Sequence, residues 1–191
     1  MAKKIINTLG ASNLSDKERA KNDYYATDPA CTKALMAKEA FTFNIWEPTA
    51  GHHIMSDVLE KGGYKVRKSD LVDYGFNDEI IDFLHEKDIK WDWDLVFNPP
   101  YSNAQEFVLK ALDILKPGRK AAIFLRTLFL EGQKRYKEIF KDNPPKTIYV
   151  FSKRYGCSEE DKFPKPSAVS YSWFIWEKGY KGETVIKWIT E

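Results

Sequence analysis

The densest chemistry in the chain lies in four successive residues, Asn98-Pro99-Pro100-Tyr101. The asparagine amide can both donate and accept hydrogen bonds. The Pro99 carbonyl adds an acceptor, and Tyr101 adds an aromatic face. Two adjacent prolines cannot continue a β-ladder or enter a helix interior, so these residues form a stiff turn. Such a set works by holding and orienting a bound group, not by nucleophilic attack. No GxSxG, P-loop or Cys–His signature offers another chemistry.

The turn follows directly on Asp94-Leu95-Val96-Phe97, an apolar strand, and so sits at a strand's carboxyl end. In open α/β sheets ligands bind at that edge. Ser102 with Gln105 three residues on reads as a capping box, opening a helix with Phe107, Val108, Ala111, Leu112 and Leu115 on one face. Pro117-Gly118 ends it. Upstream, Asp28-Pro29 starts a helix running to about Ala40. Phe43–Trp46 reads as a strand, Ile54–Glu60 as a helix stopped by Gly62-Gly63, and Tyr64–Ser69 as a half-buried strand. Phe76–Glu86 fits neither period. Ala121–Leu125 is a wholly apolar strand, as when both sheet faces are covered. Leu130–Phe140 reads as helix, Thr147–Phe151 as strand and Val169–Trp176 as a long aromatic strand. The aromatics Tyr171, Trp173, Phe174, Trp176 and Trp188 read as core. This alternation predicts a mostly parallel sheet with helices on both faces. The irregular stretch 152–167 carries Lys153, Arg154, Lys162 and Lys165, and a loop of that length is usually functional or disordered.

The 191 residues suit one domain over residues 23–191, preceded by a polar arm over 1–22 that reads as flexible. Hydrophobic residues make up 43% and aromatics 15%, enough for a buried core. Thirty basic and 28 acidic residues leave a net charge of +2, so nucleic acid would have to be gripped by a local patch. The two cysteines, Cys31 and Cys157, are far apart in no metal or disulfide pattern, which points to a reducing compartment and the cytoplasm. No run approaches the roughly 20 apolar residues of a membrane span, and the amino terminus does not read as a signal peptide. His52-His53 has no carboxylate or cysteine at ligand spacing, so no metal site is expected.

Asn98-Pro99-Pro100-Tyr101 resembles the catalytic motif of S-adenosylmethionine-dependent amino-methyltransferases, chiefly the DNA N6-adenine methyltransferases. Glu47-Pro48-Thr49-Ala50-Gly51 resembles that family's cofactor loop, and Ser69-Asp70-Leu71 its ribose-binding acidic position. Asp82-Phe83-Leu84 resembles the element flanking the cofactor's adenine. Asp23-Tyr24-Tyr25-Ala26-Thr27 resembles the element closing over its methionine end. The order is the family's, and Phe124–Tyr136 with Tyr171–Tyr180 resembles the small phage and prophage members.

The resemblance implies a Rossmann-like class I methyltransferase fold with a seven-stranded sheet. It implies Asn98, Pro99, Pro100 and Tyr101 as catalytic residues. S-adenosylmethionine would be held by Tyr25, Thr27, Glu47, Pro48, Ala50, Gly51, Asp70, Asp82 and Phe83. The expected substrate is adenine flipped out of duplex DNA and stacked on Tyr101, in the host cytoplasm if the chain is phage-encoded. The same motif also serves RNA and protein glutamine amides. Target recognition would fall to loops, to the arm or to a partner chain. One departure stands out: the family expects a second glycine where this chain has His53. Either His53 turns away and the loop works, or cofactor binding is weakened and a non-catalytic binding protein remains.

Overall fold

The computed structural model describes residues 24–190 apart from 77, 88, 90, 91, 156, 159, 160 and 164–167. The arm expected over residues 1–22, and Lys165 of the basic stretch, lie outside the described residues.

The chain alternates strand and helix as its hydrophobic pattern demands. β1 (Ala26–Thr27) leads into α1 (Pro29–Met36), where Asp28 accepts the amide of Ala30 at 2.9 Å and Pro29 takes the first turn. The helix stops before Ala40 because tertiary bonds claim the next residues. The Tyr149 hydroxyl shares its one proton between the Lys38 carbonyl at 3.1 Å and the Glu39 carboxylate at 3.0 Å. β2 (Asn44–Glu47), α2 (Ile54–Lys61) and β3 (Lys65–Asp70) form one half of the sheet layer. The ambiguous stretch resolves into β4 (Glu79–Ile80) and a turn. β5 (Asp94–Phe97), α3 (Ala104–Ile114) and β6 (Lys120–Arg126) build the other half.

Among the described residues one eight-stranded sheet has the order β10-β7-β9-β6-β5-β2-β3-β4, with β7 (Thr147–Phe151), β9 (Tyr171–Glu177) and β10 (Val185–Ile189) beyond β6. All neighbours pair in parallel except β9, which runs antiparallel between β6 and β7. The eighth strand is β10, absent from the sequence reading because four of its five residues are exposed and show no half-buried alternation. Trp188, read as core, is accordingly 62% exposed on that edge strand, while Trp173, Phe174 and Trp176 are buried.

Strand side chains alternate between two cores. Leu95 and Phe97 of β5 with Ala121, Ile123 and Leu125 of β6 face Phe107, Val108 and Ala111 of α3. Val96, Ala122 and Phe124 face Cys31 and Leu35 of α1 and Met55 and Leu59 of α2. Helices thus cover both faces of the sheet.

Two local expectations fail. Ser102 lies in a 3-10 turn over Tyr101–Asn103, α3 begins after Asn103, and no side chain caps it. Gln105 instead donates to Glu138, so the expected capping box does not form. The helix expected over Leu130–Phe140 is broken into a 3-10 turn (Thr127–Leu130), the single turn α4 (Gln133–Arg135) and a π turn (Tyr136–Phe140). Gly132, at φ +126°, cannot be helical, and Arg135 takes the Phe129 carbonyl at 2.8 Å.

Candidate active site

The strand order reverses between β2 and β5: the chain leaves β2 toward β3 and β4 and later returns to β5 and β6 on the other side. Crevices open at the carboxyl ends of strands flanking such a switch. Glu47 ends β2, Asp70 ends β3 and Asn98 follows β5, so all three residues reach that edge. Thr49 ties the two sides together by donating its hydroxyl to the Asn98 carbonyl at 3.0 Å.

A cavity of ≈ 370 Å³ lies there, within the range of small-molecule sites. Tyr25, Thr27, Glu47, Pro48, Ala50, Asp70, Asp82, Phe83, Asn98, Pro99 and Pro100 all border it. The sequence elements singled out between residues 24 and 100 thus converge on one space. Gly51 is buried just behind it at φ +49°, and its amide donates to Asp70 at 3.0 Å.

Asn98 is oriented by its neighbours. Its side-chain NH2 donates to the Tyr25 carbonyl at 2.8 Å. A carbonyl can only accept, so the nitrogen end is committed and Oδ1 is left as the acceptor end. Asn98 Oδ1 and the hydroxyl oxygen of Thr27 are both buried and have no hydrogen-bond partner among the described residues. Buried polar atoms are normally paired, so two orphans at one cavity mark places for a ligand's polar atoms.

The acidic residues differ from one another. Asp70 accepts two backbone amides, Gly51 at 3.0 Å and Val72 at 3.1 Å, and so shapes the loop as well as facing the cavity. Burial raises its pKa against the pull of those amides. Burial also raises the pKa of Glu47 well above the usual carboxylate range, opposed by a hydrogen bond from Ser56. Asp82 sits at the exposed rim, where His85 at 2.8 Å and two backbone amides hold its pKa low. Phe83 is 2% exposed and packs edge-on to Trp46 and stacked on Phe107, which makes it wall as much as floor.

Tyr101 stands apart from the other motif residues. Its ring leaves the main cavity for a second one, of ≈ 210 Å³. It stacks on Tyr25 at 5.5 Å, carries the Arg126 guanidinium at 4.6 Å and donates its hydroxyl to Cys157 Sγ at 3.1 Å. The expected open stacking face is therefore already engaged. Burial raises the Tyr101 pKa and pushes the Cys157 thiol up to about 11, so neither ionises near neutrality.

His53 is accommodated. It adopts φ +65° at the start of α2, and its ring packs on Phe76 at 4.6 Å and hydrogen-bonds Asp78. It does not border the cavity. The sequence reading missed the partner that closes the site. Asp161 accepts the Tyr24 hydroxyl at 2.7 Å and pairs with His52 Nδ1 at 2.7 Å. β1 also pairs antiparallel with β8 (Cys157–Ser158), inside the stretch read as an irregular loop. No local pattern marks Asp161, because its partners are more than 100 positions away.

No protein-family model matches the chain, and no curated protein matches it in sequence. Solved structures do match in shape. A candidate class I S-adenosylmethionine-dependent methyltransferase of Listeria monocytogenes superposes with TM-score 0.56 at 15% identity, over 85% of this chain and 63% of that one. A predicted O-methyltransferase of Agrobacterium tumefaciens superposes with TM-score 0.54 at 14% identity, over 84% of each chain. The M protein of the type I restriction enzyme EcoKI gives TM-score 0.56 at 14% identity, over 82% of this chain and 44% of that one. The chain therefore has the Rossmann-like α/β fold of class I S-adenosylmethionine-dependent methyltransferases.

Proposed function

We propose that the chain is an S-adenosylmethionine-dependent methyltransferase acting on the exocyclic N6 amine of adenine in DNA. The observation that carries this reading is the locked amide of Asn98, whose acceptor oxygen is buried without a partner beside the cavity. A restriction-enzyme M protein among the fold neighbours agrees with a DNA substrate.

The residues present fit the cofactor. The cavity is large enough, with Asp70 and Asp82 available to hydroxyls or amines, Phe83 to an aromatic base, and the partnerless Thr27 hydroxyl to a polar group. When bound, S-adenosylmethionine supplies a methyl group on a cationic sulfur. The chain's task is to present the acceptor nitrogen. That nitrogen is a poor nucleophile because its lone pair is delocalised into the ring. Asn98 Oδ1 accepts one of its N–H bonds and the Pro99 carbonyl the other, which holds it and favours tetrahedral geometry. This is catalysis by orientation and fixed dipoles, with no covalent intermediate. No strong base is required, since the nitrogen becomes acidic only after methylation and releases its proton to water.

The test is incubation with labelled cofactor and an adenine-containing duplex, followed by nucleoside analysis. N6-methyl-2′-deoxyadenosine is expected from the wild type. Asn98→Ala should bind the cofactor yet lose at least about a hundredfold in turnover, as for loss of a transition-state hydrogen bond. Label on RNA or on a glutamine peptide instead of DNA would replace the substrate while keeping the chemistry.

A further inference from the structure

The second cavity is bordered by a cation that no described residue pairs with. Leu125, Arg126, Leu128, Phe129, Arg135 and the Tyr101 ring border this ≈ 210 Å³ space at the end of β6, the strand next to β5 and Asn98. Arg135 is spent within the fold: it donates to the carbonyls of Phe129 and Glu131 and lies over the Phe129 ring at 5.0 Å. The Arg126 side chain is exposed and makes no hydrogen bond or ion pair with any other described residue. Its guanidinium lies over the face of Tyr101, 4.6 Å from the ring centroid. Beside it Leu128 is 68% exposed, on a turn anchored by the buried Phe129.

A guanidinium on an aromatic face is held in place while its N–H fork stays available, and that fork matches a phosphate in a bidentate way. An apolar rim next to the fork suits the sugar and base of the same nucleotide. The whole chain carries only +2, so attraction for a polyanion has to come from such unpaired cations placed at the site. We infer that Arg126 and the second cavity bind the DNA phosphodiester flanking the target adenine, fixing the strand so that the base meets Asn98. This rests on the DNA-methyltransferase reading above. Arg126 is thus a positioning residue, acting on the strand and not on the reacting nitrogen.

The experiment measures binding of a fluorescent adenine-containing duplex against salt concentration for wild type, Arg126→Gln and Arg126→Lys, with cofactor titrations beside it. Each phosphate contact contributes about 0.9 to the slope of log affinity against log salt. The expected result for Arg126→Gln is a slope shallower by about that amount and clearly weaker binding, with cofactor affinity unchanged. Arg126→Lys should recover the slope but not the full affinity, because a point charge replaces the fork. An Arg126→Gln slope and affinity equal to the wild type would overturn the inference while leaving the DNA reading intact. A wild type with no salt-dependent DNA binding would overturn both. A shallower slope on RNA but not on DNA would overturn the assignment of the ligand.

Discussion

Tyr24 donates its hydroxyl to Asp161 at 2.7 Å across 137 positions of chain. The bond straps the segment before β1 over the loop between β2 and α2, where the Tyr24 ring lies 4.5 Å from His52, centroid to centroid. The fit is close enough that a Cβ on Gly51 would come within 2.3 Å of the Tyr24 ring. Burial and the Asp161 carboxylate both raise the Tyr24 pKa, so the hydroxyl remains a donor at any working pH.

Tyr24→Phe keeps the ring and removes only this bond. Cofactor affinity should fall by about 1 kcal/mol, the usual net worth of one hydrogen bond. Amide exchange over residues 24–27 should quicken in the free protein. Unchanged affinity and exchange would mean that β1 and β8 hold the segment without the strap.

Asp70 joins the backbone of two loops, through Gly51 and Val72. Asp70→Ala should weaken cofactor binding by about 1–3 kcal/mol, the range for losing a charge-assisted bond. Asp70→Asn should recover little, because its NH2 must face one of two amide donors. Calorimetric titration distinguishes this from a merely solvated acid, whose loss would leave affinity unchanged.

His53→Gly should leave cofactor affinity unchanged, since the ring packs on Phe76 and Asp78 outside the cavity. For stability two effects oppose each other. Glycine relieves about 1–2 kcal/mol of left-handed backbone cost, while the contacts with Phe76 and Asp78 are lost. His53→Ala loses the contacts without that relief, so urea midpoints should rank His53→Ala below His53→Gly. A large gain in cofactor affinity in His53→Gly would show instead that the ring obstructs the site.

Glu47 gives a pH test. Its folded pKa is raised by burial, so above the ordinary glutamate value of about 4.3 the unfolded chain releases a proton that the folded chain keeps. Folding stability then declines as pH rises through that window. Glu47→Gln does not titrate and can still accept from Ser56. The stability of Glu47→Gln relative to wild type should therefore grow from pH 4 toward neutrality and be absent at pH 4. A gap of opposite sign would mean that the Ser56 bond outweighs desolvation.

Local signals carried much of this protein. The Asp94–Phe97 strand, the stiff Asn98–Tyr101 turn, the Asp28-Pro29 helix start and the apolar β6 each follow from a few adjacent residues. Their order along the chain was enough to place Glu47, Asp70 and Asn98 at one sheet edge, because parallel βαβ units put every strand's carboxyl end on the same side. Three things needed the tertiary structure. β10 is a strand only because β7 supplies its ladder, its own residues being mostly exposed. The Ser102 capping pattern yields to the 3-10 turn that the two prolines and Tyr101 impose. Finally, which atoms are left unsatisfied is decided by distant partners: Tyr25 fixes the Asn98 amide, Asp161 gathers Tyr24 and His52, and Tyr101 carries Arg126, which pairs with no described residue. Hydrogen-bond saturation is a property of the assembled fold, since each of those pairings joins residues that no local pattern connects.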